Sequence, residues 1–329
     1  MQATSVYFGG GTPSLWEPRC LAKVLERLEK KLGFAEGVEI TLEANPNAVD
    51  AFSLSAFRHA GINRLSLGVQ SFEEAMLRCL GRTHSAKEAR QAALEARKAG
   101  FENLSVDLLY ALPGQSLQQA CADAQTAVAL GIEHLSLYAL TLEEELLSQA
   151  VPMAKALPQL PKEALSLAMR RHMAHVAAEA GLQRYELSNH ARQGRASVHN
   201  LSYWKGSDYM GLGAGAVGAF TRNGAGLRWF NFQRWEDYAR ALSEGKLPEE
   251  QREFLSMQTL FVERAMLGLR LVEGIELQPL CRACGKNVEE VEALAQAWEA
   301  GGWATYACGR LRLSERGMDI HSALCLQLL

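Results

Sequence analysis

Six short runs of apolar and β-branched residues, at 5–8, 38–42, 64–69, 104–109, 134–138 and 183–187, punctuate the first 190 residues of the chain. Between them, residues 17–32, 85–98, 117–130 and 162–180 place apolar side chains at helical spacing. Gly33, Gly61, Gly100, Gly131 and Gly181 each follow a helical stretch, where a left-handed C-cap is wanted. Strand, turn, helix and glycine repeated in this way predict βα units and a parallel sheet, open or closed into a barrel.

Past about residue 190 the pattern changes. Residues 198–216 are rich in glycine and aromatics and read as a structured loop that covers something. Residues 225–250 read as a connector with a helical piece at 232–244 and a break at Pro248. Helical patterns follow at 252–268, 278–284 and 288–300, then two short strands around Gly309 and a last helix. The expected organisation is therefore α/β: an incomplete βα barrel over 1–195, a loop and linker over 196–250, and a small winged-helix-like domain over 251–329.

In barrels and open parallel sheets, chemistry gathers at the carboxyl ends of the strands. Several runs here carry a polar residue near that end which a packed core would not choose: Thr12 after three glycines, then Glu43, Gln70, Asp107 and Thr141. Each alone could cap a helix or satisfy a turn; from successive strands they suggest one shared pocket. Asp107, flanked by Val106 and Leu108, needs a buried partner. Arg82 on its own reads as a helix-start residue.

Composition narrows the function classes. The 329 residues, 48% hydrophobic and 22% charged, are those of an ordinary globular protein. With 34 basic and 37 acidic residues the formal charge is -3, which gives no electrostatic reason to bind nucleic acid. The helix pattern at 288–300 has four glutamates and no Lys or Arg, against a DNA-reading role for the winged domain. Seven scattered cysteines and no apolar stretch long enough for a signal peptide or membrane span predict a reducing cytoplasm with free thiols. No segment argues for membrane insertion, although peripheral association suits a delivery protein.

Six motifs then occur in order: Gly9-Gly10-Gly11-Thr12-Pro13-Ser14, Leu42-Glu43-Ala44-Asn45-Pro46, Gly68-Val69-Gln70-Ser71-Phe72, Leu80-Gly81-Arg82-Thr83-His84, Asp107 through Gln115, and His199-Asn200-Leu201-Ser202-Tyr203-Trp204. Together they resemble the radical S-adenosylmethionine (SAM) proteins of the oxygen-independent coproporphyrinogen III oxidase family, in the branch of the HemW-type haem chaperones. The resemblance implies that Gly10, Gly11 and Thr12 hold the methionyl end of SAM, that Glu43 contacts it, and that Gln70, Arg82, Asp107 and Thr141 are further SAM-contact positions. It also implies that His199 ligates haem iron, with Tyr203 and Trp204 able to pack on a porphyrin. The implied function is haem binding and delivery to an acceptor protein. The alternative, coproporphyrinogen III dehydrogenase chemistry, is disfavoured by the His199 to Trp204 motif.

One family feature is missing. A [4Fe-4S] cluster in this family needs a Cys-x3-Cys-x2-Cys loop, and cysteines 20, 79, 121, 281, 284, 308 and 325 contain no such run. The close pair Cys281 and Cys284 reads as structural thiols. In the family the cluster loop precedes the glycine motif, which here begins eight residues after Met1. The chain thus reads as lacking at least one βα unit and every cluster ligand. The start at an internal methionine is the favoured explanation, because Glu43, Gln70, Arg82 and Asp107 are all retained; the other is a genuine product without SAM cleavage.

Overall fold

The computed structural model describes residues 2–141, 160–222 and 225–328. The chain divides into two compact units, residues 1–199 and 200–329, so most of the expected linker at 196–250 belongs to the second.

Among the described residues of the first unit, strands β1 (Ala3–Phe8), β2 (Phe34–Ala44), β3 (Arg64–Gln70), β4 (Leu104–Tyr110) and β5 (His134–Ala139) lie side by side in chain order, all parallel. They alternate with α1 (Pro18–Leu32), α2 (Ala51–His59), α3 (Glu74–Cys79), α4 (Ala86–Lys98) and α5 (Leu117–Ala129). Capping boxes start three of these helices, at Asp50, Ser85 and Ser116, each closed by the side chain three residues on. A further helix, α6 (Glu163–Glu179), precedes two short strands. The run expected as a sixth strand at 183–187 is instead β6 (Gln183–Arg184) and β7 (Asn189–Ala191), with β7 antiparallel to β5. The chain reverses here, so the sheet ends in a turned-back edge rather than another βα unit.

Strand alternation divides this sheet into two unlike faces. Ile40, Leu42, Leu65, Leu67, Leu104, Val106, Leu135 and Leu137 form one core with Leu21 and Leu25 of α1, Phe57 of α2, small alanines of α4 and α5, and Met169 and Met173 of α6. Each fully buried Leu or Phe contributes roughly 1.5–3 kcal/mol of transfer free energy. The alternate positions carry Tyr7, Glu39, Thr41, Glu43, Arg64, Ser66, Ser105, Asp107, His134 and Ser136, and strand register sets Thr41 beside Arg64, Glu43 beside Ser66 and Asp107 beside Ser136. This polar face lines the concave interior of an incomplete βα barrel.

Helix α7 (Val198–Trp204) spans the junction between the units, where a loop was expected. The second unit opens with an antiparallel sheet of β8 (Val217–Arg222), β9 (Ala225–Asn231) and β10 (Glu249–Leu255), with α8 (Trp235–Ser243) between the last two. The expected connector at 225–250 thus contributes strands. These strands show no regular alternation of buried and exposed positions, and Phe254 stays exposed. Then come α9 (Met257–Gly268), β11 (Ile275–Glu276), α10 (Leu277–Ala283), α11 (Val288–Ala300), β12 (Ala304–Ala307) and β13 (Arg310–Leu313), and two short helices. Three helices with a β11-β13-β12 sheet give the winged-helix-like appendage.

Candidate functional site

The first turn after β1 is built around the ring of Tyr7. A Cβ on Gly9 would lie 2.7 Å from that ring and 3.3 Å from the Glu43 carboxyl, so only glycine fits there. Gly10 and Gly11 take φ values of 80° and 60°, which turn the backbone over the strand ends. The Tyr7 hydroxyl donates to Glu43 Oε1 at 2.6 Å, and the Gly10 amide donates to Oε2 at 3.3 Å. Burial, then the carboxylates of Glu43 and Asp107, push the Tyr7 phenol well above its ordinary range. The Asn45 amide donates to Thr12 Oγ1 at 3.2 Å, tying the end of β2 to the glycine turn.

Beside this turn is a cavity of about 200 Å³ lined by Gly11, Thr12, Pro13, Glu43, Ala44, Asn45, Ser66, Gly68, Gln70, Arg82 and Asp107. Gln70 enters it from a left-handed backbone, φ 69°, a conformation that costs a non-glycine residue of order 1–3 kcal/mol. Its amide sits 3.2 Å from where a Cβ on Gly68 would be, which accounts for glycine at 68. Burial pulls the Arg82 guanidinium below its usual value.

Asp107 is held by hydroxyls. Ser136 donates to Oδ1 at 2.6 Å, and Ser66 donates to the two oxygens at 3.2 and 3.0 Å. Burial raises the Asp107 carboxyl, opposed by these hydroxyls and by the charge of Arg64. Behind it the polar chain continues: Ser105 Oγ lies 3.4 Å from Asp107 Oδ1 and 2.8 Å from His134 Nδ1, whose Nε2 is 2.9 Å from the Tyr185 hydroxyl. His134 is fully buried, and burial lowers it far enough to stay neutral.

His199 is placed from below by Glu39. This buried carboxylate accepts from Ser197 Oγ at 3.2 Å, from the Val198 amide at 3.0 Å and from the His199 amide at 3.0 Å, with Arg64 Nε at 3.9 Å. A strand carboxylate thus satisfies the opening amides of α7, where negative charge is favourable. The His199 ring lies flat on Tyr7, centroids 4.4 Å apart and planes 17° apart. Burial, then Arg64, lowers its pKa to about 4, so the imidazole is neutral at pH 7.

The structure therefore brings Gly11, Thr12, Glu43, Gln70, Arg82 and Asp107 to one cavity, with Gly10 on its rim bonded to Glu43 and His199 joined to it through Tyr7. Thr141 is not among the lining residues; it is exposed, its hydroxyl 3.5 Å from the Ala139 carbonyl. Tyr203 packs against Tyr209 at 4.5 Å, and the Arg270 guanidinium lies 4.3 Å over Trp204, so both motif aromatics have packing roles in the second unit. Tyr7, Glu39, Arg64, Asn45 and Ser66 were not expected. The signal for them was the polar phase shared by successive strands, which reads locally as a solvent-facing side. Among the described residues no three His, Cys, Asp or Glu side chains come together to hold a metal, and the chain has no Cys-x3-Cys-x2-Cys run. The residues present do not fit a [4Fe-4S] cluster.

Residues 1–127 match the family model of the radical SAM superfamily. The protein named Heme chaperone HemW from Lactococcus lactis is 34% identical over 82% of this chain and 70% of its own length. Its namesake from Escherichia coli K12 is 33% identical over 96% of this chain and 81% of its own. The chain belongs to the HemW family of radical SAM proteins. The mitochondrial radical S-adenosyl methionine domain-containing protein 1 of Danio rerio is 39% identical over 84% of this chain, which spans 63% of that protein. Among solved structures, the E. coli coproporphyrinogen III oxidase HemN, a radical SAM enzyme, shares the fold with a TM-score of 0.81 at 18% identity, over 99% of this chain and 77% of its own. The incomplete barrel of this HemW-family chain is thus a radical SAM fold.

Proposed function

We propose that this chain is a haem chaperone that ligates haem through His199 and passes it to an acceptor protein, while the barrel cavity holds SAM. The observation that carries the reading is the placement of His199: its imidazole is neutral, and its backbone is fixed by the Glu39 carboxylate. A neutral imidazole nitrogen can ligate iron without first losing a proton. Relatives 33–34% identical over most of the chain carry the name Heme chaperone HemW, which supports the same reading.

The cavity suits SAM in donor and acceptor chemistry. Glu43 and Asp107 offer carboxylates to an ammonium, a sulfonium or ribose hydroxyls, and the turn at Gly10 and Gly11 lets the backbone come close to a ligand. SAM supplies a compact, positively charged ligand to an acidic wall. The role of the chain's own residues is to bind it and orient it beside Tyr7.

Haem titration followed by the Soret band tests the haem assignment. His199→Ala should weaken haem binding at least tenfold, about 1.4 kcal/mol. Superimposable titrations of parent and variant would remove His199 from the iron.

A further inference from the structure

Three serines surround one carboxyl on the polar face of the first unit's sheet. Strand register sets Ser66 of β3 beside Ser105 of β4, and Asp107 of β4 beside Ser136 of β5. The serines are buried, at 4%, 0% and 3% exposure, whereas Asp107 is partly exposed and, with Ser66, lines the cavity. Alanine would take nearly the same volume at these positions without burying a hydroxyl, which costs free energy unless the group is hydrogen-bonded. What the three hydroxyls share is Asp107.

The bonds fall unequally on the two carboxyl oxygens. Oδ1 faces Ser136 Oγ at 2.6 Å, Ser66 Oγ at 3.2 Å and Ser105 Oγ at 3.4 Å, while Oδ2 has Ser66 Oγ at 3.0 Å. An ionised carboxylate accepts at about four lone-pair sites, shared between its oxygens. Oδ1 is therefore filled from the protein, and Oδ2 keeps room for a donor from the cavity. Donors to the charged form also decide how far a buried carboxyl keeps its charge. Burial raises the Asp107 pKa most; Ser136, then the charge of Arg64, then Ser66 oppose it, and Glu43 adds to the rise.

We propose that Ser136 and Ser66 are positioning residues for the cavity's ligand: they tie Oδ1 of Asp107, leave Oδ2 to a cationic group of that ligand, and set the pH above which the group is held. The inference rests on the reading that SAM occupies the cavity. The charged and titratable groups around Asp107 are Tyr7 from β1, Glu43 from β2, Arg64 from β3, and Tyr138 and His134 from β5, with Arg82 on the cavity wall and Glu186 behind Tyr138. The Tyr7 phenol lies well above its ordinary range and that of Tyr138 is pushed up to about 12, first of all by burial, so both stay protonated through the neutral range, while His134 stays neutral. Glu43, Arg64, Arg82 and Glu186 are common to every variant compared below, so a shift in the pH profile reports Asp107.

Calorimetry of SAM binding to the full chain as a function of pH is the test, in the parent, Ser136→Ala, Ser66→Ala and Asp107→Asn. In the parent, affinity should climb about tenfold per pH unit up to the midpoint of the carboxyl and then level off. Ser136→Ala should move that midpoint up by about one pH unit, so that SAM binds about tenfold more weakly below both midpoints and equally well above them. Ser66→Ala should move it the same way by less, and Asp107→Asn should bind weakly with no such step. A readout without ligand accompanies it: the infrared difference between parent and Asp107→Asn isolates the carbonyl stretch of the protonated carboxyl, and its midpoint should rise by the same amount in Ser136→Ala. If SAM binds the parent and Ser136→Ala weakens it equally at every pH, or leaves both the profile and the infrared midpoint unmoved, the positioning role is wrong while the cavity reading stands. Asp107→Asn binding SAM as the parent does would overturn it as well. If the parent binds no SAM, the cavity reading falls and the proposal falls with it.

Discussion

Both units bury an apolar core, but among the described residues only the first also buries Asp, Glu and Arg side chains. Inside the first, Glu39 is 6% exposed, Arg64 2%, Asp123 1% and His134 0%, and each is tied to other polar groups. Inside the second, the fully buried side chains are apolar, such as Trp298 and Phe261, while its ion pairs, Arg228 with Glu263 and Arg310 with Glu276, keep contact with solvent. Desolvating charge is expensive, and a domain does so where the groups have partners or a ligand to meet. The first unit surrounds its cavity with buried charge; the second keeps its ion pairs partly exposed.

The largest effect should come from breaking the first unit's buried charge set. Glu39→Ala leaves Arg64 without its nearby countercharge and the opening amides of α7 without their acceptor, and loss of one member of a buried pair typically costs about 3–5 kcal/mol. Urea unfolding at pH 7 checks this; a loss below 1 kcal/mol would mean that the interior is well hydrated and the contrast between the units is smaller than drawn.

Asp123 sharpens the contrast through pH. Its carboxylate accepts from Ser71 Oγ at 2.7 Å and the Phe72 amide at 2.6 Å, yet burial lifts its pKa from 3.8 to about 6. A carboxyl with a raised folded pKa holds its proton more tightly in the native state. Its contribution is therefore most favourable below the unfolded value and is lost as pH rises to about 6, after which the penalty levels off at roughly 3 kcal/mol. Asp123→Asn should flatten stability between pH 4 and 6 relative to the parent; an unchanged slope would place the titration elsewhere.

The smallest effect belongs to the second unit. Glu263→Ala removes a partner of Arg228 in a pair whose side chains are 23% and 26% exposed, and Glu253 remains at 3.4 Å. The expected loss is about 1 kcal/mol or less by urea unfolding. A loss as large as that of Glu39→Ala would erase the distinction between the units.

How far the sequence foretold this depends on where each residue's partners lie along the chain. Glu43, Gln70 and Asp107 are visible because a polar residue ends or interrupts an apolar run, and the βα repeat says which end of the sheet they share. Tyr7 and Glu39 are hidden because their partners, Glu43 and His199, lie 36 and 160 residues away and only folding supplies them. The same reason explains α7, expected as a loop. Its opening amides are satisfied by a carboxylate from β2, and the Ser197 hydroxyl points to that same carboxylate. Residues 183–191 were misjudged because two very short antiparallel strands carry too few residues to show a period. Thr141 follows the fifth strand as Glu43 follows within the second, but the chain leaves the cavity before reaching it.

The central claim is that His199 is the protein's bond to haem iron. Chain labelled with ¹⁵N-histidine and loaded with ferric haem can be examined by pulsed electron paramagnetic resonance, which detects hyperfine coupling from a nitrogen bound axially to the iron. An axial imidazole coupling in the parent that is absent from His199→Ala is the predicted result. The same coupling persisting in His199→Ala would contradict the account, because another of the eight histidines would then hold the iron.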